Sequence, residues 1–359
     1  MTVRAGGHAA SADPALPLTQ ARALVVEPYV HPDWAAIEQA RVFRQSWQLV
    51  GSAAEIAGPG DHLAREIAGV PVLVVRQPNG SVQAFHNVCR HRAGPLAACD
   101  GKGARALRCR YHGWLYGLDG RLKVAAEMDD AEGFTAAELA LEPVRVGVWQ
   151  GFVFVCLGAD APPLEEILDG IEARMAPTQL APMAHRRHWR DEIACNWKVY
   201  IDNYLEGYHL PFVHPDLARV VSYAEYNSTL APWYSLQYAP VSGAGDAYGA
   251  GEALYYFVYP NFMLNIMPGR LQVNVVTPLG PDRCAVDFDF YYLDQDDVQA
   301  RVEADLTFTA QIQQEDVAIC LQVQKALASG VYRPGRLSPR REAGVWHFQN
   351  LLRRAYGWA

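Results

Sequence analysis

Four side chains in two unequal halves restrict this chain more than any other feature: Cys89-x-His91, seventeen residues, then Cys109-x-x-His112. Two thiols and two imidazoles are metal ligands, and to meet at one point each half must sit on a loop of a common frame. The flanking sequence predicts that frame. Short β-like runs (WQLV, VLVVRQ, VQAFHN, VGVWQGFVFVCL) are separated by turn signals at Pro78-Asn79-Gly80 and Gln150-Gly151, which reads as a small antiparallel domain over residues 46–160. A structural zinc site is one reading, because two Cys and two His suit tetrahedral zinc, but the order is not that of the common zinc fingers. Arg90, Arg92, Arg108 and Arg110 surround the ligands, either as solvated surface or as partners for negative charge at the site. Cys99 lies outside the pattern and reads as structural.

The remaining cysteines agree with ligation rather than cross-linking. There are seven, an odd number scattered over 359 residues, which argues for reduced thiols. A net charge of −8 without a long basic run argues against a nucleic-acid partner. No stretch approaches the ~20 apolar residues of a membrane span, and the N-terminus lacks a charged stub followed by an apolar core, so the expectation is a cytoplasmic protein with no membrane partner. The length allows a second domain. Residues 1–45 read as an N-terminal segment with a helix at Asp33 to Arg44, packing on that second domain. Residues 161–359 read as α+β: a helix near 195–208, strands over 254–292, and helices near 297–328 and 341–354. The Gly/Ala-rich stretch 243–253 reads as a loop.

A second ligand set lies in N-W-K-V-Y-I-D-N-Y-L-E-G-Y-H-L-P-F-V-H-P, residues 196–215, as Glu206-x-x-His209-x4-His214. Three residues apart, Glu206 and His209 would share a helical face, and Pro211 would break the helix and let His214 swing to the same point. A buried pair of structural histidines is the plainer reading. A facial site of two His and one carboxylate needs a distant acid as well. In QIQQEDVAICLQVQ, Asp316 shares a helical stripe with Ile312, Ile319, Cys320 and Val323, whereas Glu315 keeps company with Gln311, Ala318 and Gln322. A carboxylate on an apolar face needs a cation beside it, so Asp316 is the expected ligand and Glu315 can be solvated.

Together the two motifs resemble the oxygenase (α) subunits of Rieske non-haem iron oxygenases. The resemblance implies an N-terminal antiparallel β Rieske domain and a C-terminal helix-grip-like α+β catalytic domain built on an antiparallel sheet. It implies a 2Fe–2S cluster held by Cys89, His91, Cys109 and His112, and a mononuclear Fe(II), held by His209, His214 and Asp316, that activates O2. Two imidazoles in place of two thiolates raise the cluster potential to roughly −150 to +300 mV from about −400 mV. Glu206 would bridge His209 to His112 of a neighbouring protomer in a homotrimer. No dinucleotide-binding glycine motif and no plant-type cluster motif occurs, so flavin and NAD(P)H belong to a separate reductase carrying a flavin and an iron–sulfur centre. The pattern around 196–215 resembles the branch acting on choline, glycine betaine and carnitine, which implies hydroxylation or N-demethylation of a small quaternary ammonium substrate. Gly207 and Leu210 stand where that branch often has Cys. Tyr200, Tyr204 and Tyr208 at spacing four, with Trp233, Tyr255, Tyr259 and Phe262, could line a pocket, since desolvated cation–π contacts are worth ~2 kcal/mol. An aromatic-ring or aromatic-acid hydroxylase is the alternative enzyme, and a Rieske electron-transfer protein the alternative that is no enzyme. His185, Arg186 and His188 lack ligand spacing and read as surface.

Overall fold

The computed structural model describes residues 15–175, 180, 183–241, 251–294 and 298–358. The chain divides into two compact units. One is Phe43–Leu164; the other joins the described residues up to Val42 to those from Glu165 onward.

The first unit is built on antiparallel sheets, with two short 3-10 turns at Ala53–Ile56 and Ala136–Leu139. Strands β1 (Gln48–Ser52), β2 (His62–Ile67), β3 (Val70–Arg76), β4 (Val82–His86), β8 (Pro143–Trp149) and β9 (Phe152–Cys156) form one sheet in the order β1-β9-β8-β4-β3-β2. A three-stranded sheet holds β5 (Leu107–Arg108), β6 (Leu115–Tyr116) and β7 (Leu122–Val124). In β3 the run Val72-Leu73-Val74-Val75 is fully buried on both faces. Alternation sends Val72 and Val74 to a core with Val50, Ile56, Val153 and Val155. Leu73 and Val75 go to a second core with Phe85, Cys89, Cys109, Trp114 and Tyr116. The ligand loops thus stand on a packed floor. At the hairpin joining β8 to β9, Gln150 and Gly151 have φ of 48° and 82°, the left-handed pair that a tight hairpin requires.

The second unit carries a seven-stranded antiparallel sheet: β10 (Met183–Ile193), β11 (Asn227–Leu230), β12 (Tyr234–Val241), β13 (Gly251–Val258), β14 (Phe262–Met267), β15 (Arg270–Gly280) and β16 (Arg283–Leu293), ordered β10-β16-β15-β14-β13-β12-β11. Its helices are α1 (Glu27–Val30), α2 (Asp33–Glu38), α3 (Leu164–Ile167), α4 (Ile171–Met175), α5 (Trp197–Tyr204), α6 (Leu210–Val213), α7 (Leu217–Val220), α8 (Val298–Ala328) and α9 (Ala343–Tyr356). The helix expected at Asp33 to Arg44 is α2 continued by a π-helical turn, Gln39–Phe43. Of the expected 243–253 loop, residues 243–250 lie outside the described residues, and Gly251 to Ala253 are strand.

Buried polar groups fix α5. Glu38, 3% exposed, accepts from Trp197 Nε1 at 2.6 Å, from the fully buried Lys198 Nζ at 2.6 Å and from Tyr356 OH at 2.7 Å. A buried ammonium is tolerable only when paired in this way. Desolvation still holds Lys198 below its ordinary pKa, against the pull of Glu38. Asp202, farther along α5, accepts from Tyr29 OH at 2.5 Å and Gln349 Nε2 at 3.1 Å. Asn196 caps the helix, its side chain accepting from Lys198 N at 3.0 Å. The helix is shorter than 195–208: it stops at Tyr204, and Gly207 beyond it lies where a Cβ would come 2.6 Å from Tyr226 Cε1. Glu206 and His209 therefore do not share a helical face. Pro211 begins α6 rather than ending α5, as its missing N–H suits a first turn. Tyr208 is 46% exposed and does not continue a line from Tyr200 and Tyr204.

Candidate active site

The loops of the first unit repeat one design. Ala93 N donates to Cys89 O at 3.0 Å and Cys89 N to Gly94 O at 2.8 Å; Gly113 N donates to Cys109 O at 3.0 Å and Cys109 N to Trp114 O at 2.9 Å. Ala93 and Gly113 both have positive φ, 57° and 75°, which turns each loop back on its cysteine. Both cysteines are buried, and Tyr116 OH lies 3.2 Å from Cys89 Sγ. His91 stacks on Trp114 at 4.7 Å, and its ring centre is 4.6 Å from that of His112. The residues fit an iron–sulfur cluster: buried sulfurs, adjacent imidazoles near the surface, and a Gly94 whose hypothetical Cβ would stand 2.7 Å from Cys109 Sγ, leaving no room for a larger residue. Desolvation, then the His91 and Arg92 charges, lowers the His112 pKa. Cys99 is exposed, so it has no packing role. Arg90, Arg92, Arg108 and Arg110 are exposed as well, and Arg90 pairs with Glu142.

In the second unit His209, His214 and Asp316 come together, each offering a ligand atom within 4.8 Å of the others. Asp316 Oδ1 is 2.9 Å from His214 Nε2 and 3.7 Å from His209 Nε2. The opposite nitrogens are held by carboxylates: His209 Nδ1 by Glu206 Oε1 at 2.6 Å, His214 Nδ1 by Glu315 Oε2 at 2.6 Å. An acceptor at Nδ1 puts the proton there and leaves the Nε2 lone pair for a metal, so the donor set fits an iron ion with both imidazoles oriented. Asn203 Nδ2 donates to Asp316 Oδ1 at 2.6 Å and aims that carboxylate. Burial lowers the His214 pKa, but Asp316 and Glu315 outweigh it and leave it raised.

Three expectations are corrected at this point. Glu315 is not solvated: it holds His214, and its Oε1 accepts from Gln311 Nε2 at 3.0 Å. The stripe around Asp316 is not apolar throughout, since Val323 is 40% exposed while the buried positions of α8 include Asp305, Thr309, Gln313 and Gln324. The second oxygen of Glu206, which a bridge to His112 of a neighbouring protomer needs turned outward, faces its own loop instead: Oε2 accepts from the backbone N–H of Tyr208 and of His209, the latter at 3.1 Å.

A cavity opens beside the triad, lined by Tyr200, Tyr204 and Tyr255 among the expected aromatics. The other four lie elsewhere, Tyr208 on the surface. Tyr259 and Trp233 pack on each other, Tyr259 also on Phe348 of α9, and Phe262 is buried in β14. Sequence reasoning missed Tyr226 and a polar wall of Asn265, Arg270, Gln272 and Asn274, all of which face the same space. The alternation R-L-Q-V-N-V in β15 was the available signal, but alternation ordinarily points polar residues to water. Here Arg270, Gln272 and Asn274 are as buried as Leu271 and Val273 between them, so the polar face is an internal one. His185, Arg186 and His188 are surface residues paired with Asp289, Asp294 and Asp287.

Comparison with known proteins decides what this pair of sites belongs to. Residues 46–135 match the Rieske 2Fe–2S domain, and residues 180–358 match the catalytic domain of the ring hydroxylating alpha subunit. The chloroplastic choline monooxygenase of Arabidopsis thaliana is 36% identical over 361 residues, covering 95% of this chain and 84% of that protein. This chain belongs to the Rieske non-haem iron oxygenases. Its cofactors are a Rieske 2Fe–2S cluster and a mononuclear iron, and it is an oxidoreductase of monooxygenase kinship. The carnitine monooxygenase oxygenase subunit of Escherichia coli K12 is 29% identical to this oxygenase, over 89% of this chain and 90% of its own. The quaternary ammonium Rieske monooxygenase CntA, solved with its substrate L-carnitine, superposes with a TM-score of 0.82 at 26% identity, covering 96% of this chain and 99% of that one. Naphthalene 1,2-dioxygenase with indole bound, at 18% identity and a TM-score of 0.76, shares the fold of this oxygenase. Among the described residues no helix is long and apolar enough to cross a membrane.

Proposed function

We propose that this oxygenase hydroxylates or N-demethylates a small quaternary ammonium compound. The observation that carries the reading is the 36% identity, along nearly the whole chain, to a choline monooxygenase. The tyrosines beside the triad support it: Tyr226 and Tyr255 stack at 6.4 Å, and Tyr204 stands on the same cavity. Aromatic faces bind a quaternary ammonium group, which has no N–H to donate.

In this reading Cys89 and Cys109 hold one iron of the cluster and His91 and His112 the other, within a domain of residues 46–160, while His209, His214 and Asp316 hold the mononuclear iron in a domain of residues 161–359. The bound iron supplies O2 activation, and the cluster supplies electrons drawn from a separate NAD(P)H-dependent reductase. Two electrons and two protons join O2; one oxygen atom enters a substrate C–H bond and the other leaves as water. The protein's own contribution is positional. Glu206 and Glu315 hold the Nδ1 protons, Asn203 aims Asp316, and the tyrosine wall keeps water from the reacting carbon.

The oxygenase works as a homotrimer in this proposal, the cluster of one copy serving the iron of the next. A recess of about 460 Å³ supports it, lined by Glu206 and His209 together with Asp202, Glu342, Val199 and Ile319. Exposed Arg92 and Arg110, with Tyr111 at 55% exposure, give the cluster loops a surface of complementary charge for a second copy. The test is reductant and O2 consumption with reductase, screened over betaines, carnitine, choline and aromatic acids. Quaternary ammonium compounds should stimulate turnover and release formaldehyde or an aldehyde. Stimulation by arenes alone would replace the substrate class.

A further inference from the structure

The cavity has two chemically different sides, and the polar one bears on which quaternary ammonium compound fits. Its origin is the buried pair Arg270–Asp305, 2% and 0% exposed, with Arg270 Nε donating to Asp305 Oδ2 at 2.5 Å. A guanidinium only donates, and this fixes the sense of every bond downstream. Arg270 Nη2 donates to Gln272 Oε1 at 2.6 Å, so the Gln272 amide must turn its nitrogen away, and Gln272 Nε2 donates to Asn274 Oδ1 at 2.9 Å. Asn274 is thereby left presenting Nδ2 to the cavity it lines.

A second donor arrives independently from α8. Gln313 is 4% exposed, its Oε1 accepts from Tyr200 OH at 2.8 Å, and its Nε2 has no hydrogen-bond partner among the described residues. Gln313 lines the same cavity and lies three residues from Asp316 on α8. Leaving a buried amide N–H2 without a partner is destabilising, so the site is built for something that accepts from it.

Apart from Asp316, a ligand of the metal site, the side-chain oxygens around these two amides already accept. Asp305 Oδ2 serves Arg270 and Tyr292, Thr309 accepts from Arg270 and reaches Asp305 Oδ1 at 3.4 Å, and the Gln272, Asn274 and Gln313 oxygens are engaged. This side therefore offers N–H and little to receive one. A trimethylammonium group has nothing to gain from it and belongs on the tyrosine side. A hydroxyl would accept one bond, but its own proton would have to share an oxygen that already accepts another. A carboxylate accepts from both amides and loses nothing.

We propose that the substrate is a quaternary ammonium carboxylate, and that Asn274 and Gln313 read its carboxylate. The inference rests on the quaternary ammonium reading above and divides that class: a betaine, not a choline-type alcohol. The residues hold the substrate by its anionic end while the cation lies against Tyr204, Tyr226 and Tyr255, so they determine specificity without touching the reacting carbon.

The test is anaerobic titration calorimetry on the holoenzyme with γ-butyrobetaine, choline and naphthalene. γ-Butyrobetaine should bind at least about tenfold tighter than choline, the scale of one unmade polar bond. Asn274→Asp puts a charge against the substrate carboxylate and should weaken γ-butyrobetaine by tenfold or more while leaving choline equal or tighter. Gln313→Glu should do the same, and it serves should the first variant fail to retain its cluster spectrum and iron. Choline binding as tightly as γ-butyrobetaine to the unaltered protein, or Asn274→Asp weakening both ligands alike, would overturn the carboxylate reading and leave the quaternary ammonium class standing. Naphthalene binding with neither quaternary ammonium compound would overturn that class itself.

Discussion

Glu315 offers a sharp test of the second metal site, because neither its position on α8 nor its neighbours announce a role. Its Oε2 sits 2.6 Å from His214 Nδ1 and its Oε1 accepts from Gln311 Nε2 at 3.0 Å. Glu315→Gln keeps the shape and removes the charge. It also creates a conflict, since a carboxamide has one oxygen for two donors, so either the imidazole or Gln311 meets an N–H2. The Nδ1 proton then loses its anionic acceptor, His214 loses basicity at Nε2, and iron affinity should fall by about 10–100-fold, or ~1.4–2.7 kcal/mol. Glu315→Ala should lie at the upper end of that range. The measurement is competition with a chromophoric chelator for Fe(II), without oxygen, on protein stripped of its mononuclear iron and still showing its Rieske absorbance. The expected result is weaker iron with an unchanged cluster spectrum. An Fe(II) affinity within threefold of the unaltered protein would refute the claim that Glu315 orients the ligand.

The other expectations address the first site, the electron path and the packing. Purified protein should carry two iron and two acid-labile sulfide per cluster with the rhombic EPR signal of a reduced Rieske centre; stoichiometric zinc without sulfide would contradict it. Glu206→Gln also takes the anionic acceptor from a ligand imidazole, so it should be loaded with saturating Fe(II); its cluster should then reoxidise far more slowly in a single turnover with substrate and O2, and an unchanged rate would remove Glu206 from the path. His347, 7% exposed on α9, has its pKa pushed down to about 4 by burial and then by Arg354. The unfolded chain therefore binds the extra proton first, so His347 favours folding above pH about 6.5 and that contribution is lost as pH falls toward 4, at ~1.4 kcal/mol per pH unit and about 3 kcal/mol in all. Urea midpoints at pH 7.5 and pH 5 should converge in His347→Gln, and an equal drop in both proteins would show that other groups govern acid unfolding.

How much of this was legible in the chain depends on how far each contact reaches. The cluster loops were readable because each half is local: Cys89 and His91, or Cys109 and His112, are placed by a single turn, and the flanking alternation built the sheet beneath them. His209 and His214 were readable for the same reason, although the helix thought to present Glu206 and His209 ends at Tyr204. The choice between Glu315 and Asp316 shows where one-dimensional reasoning stops. Periodicity treats the two as opposite faces, one wet and one buried, and expects one of them to matter. An imidazole that gives one nitrogen to a metal has a second nitrogen to satisfy, some way round its ring. Neighbouring residues about 100° apart on a helix can reach the two ends of one His214, and both are used. The polar wall was illegible for a different reason. The alternation of Arg270, Gln272 and Asn274 is the pattern of a sheet with one face in water, and only the packing of α5 on β15, with α8 bonded to Arg270, makes it an interior. Once it is interior, each polar atom must be paired, and a donor left over becomes informative: on the surface Gln313 Nε2 would be one more hydrated amide, whereas in a cavity beside His209 and His214 it specifies an acceptor that none of the described residues supplies.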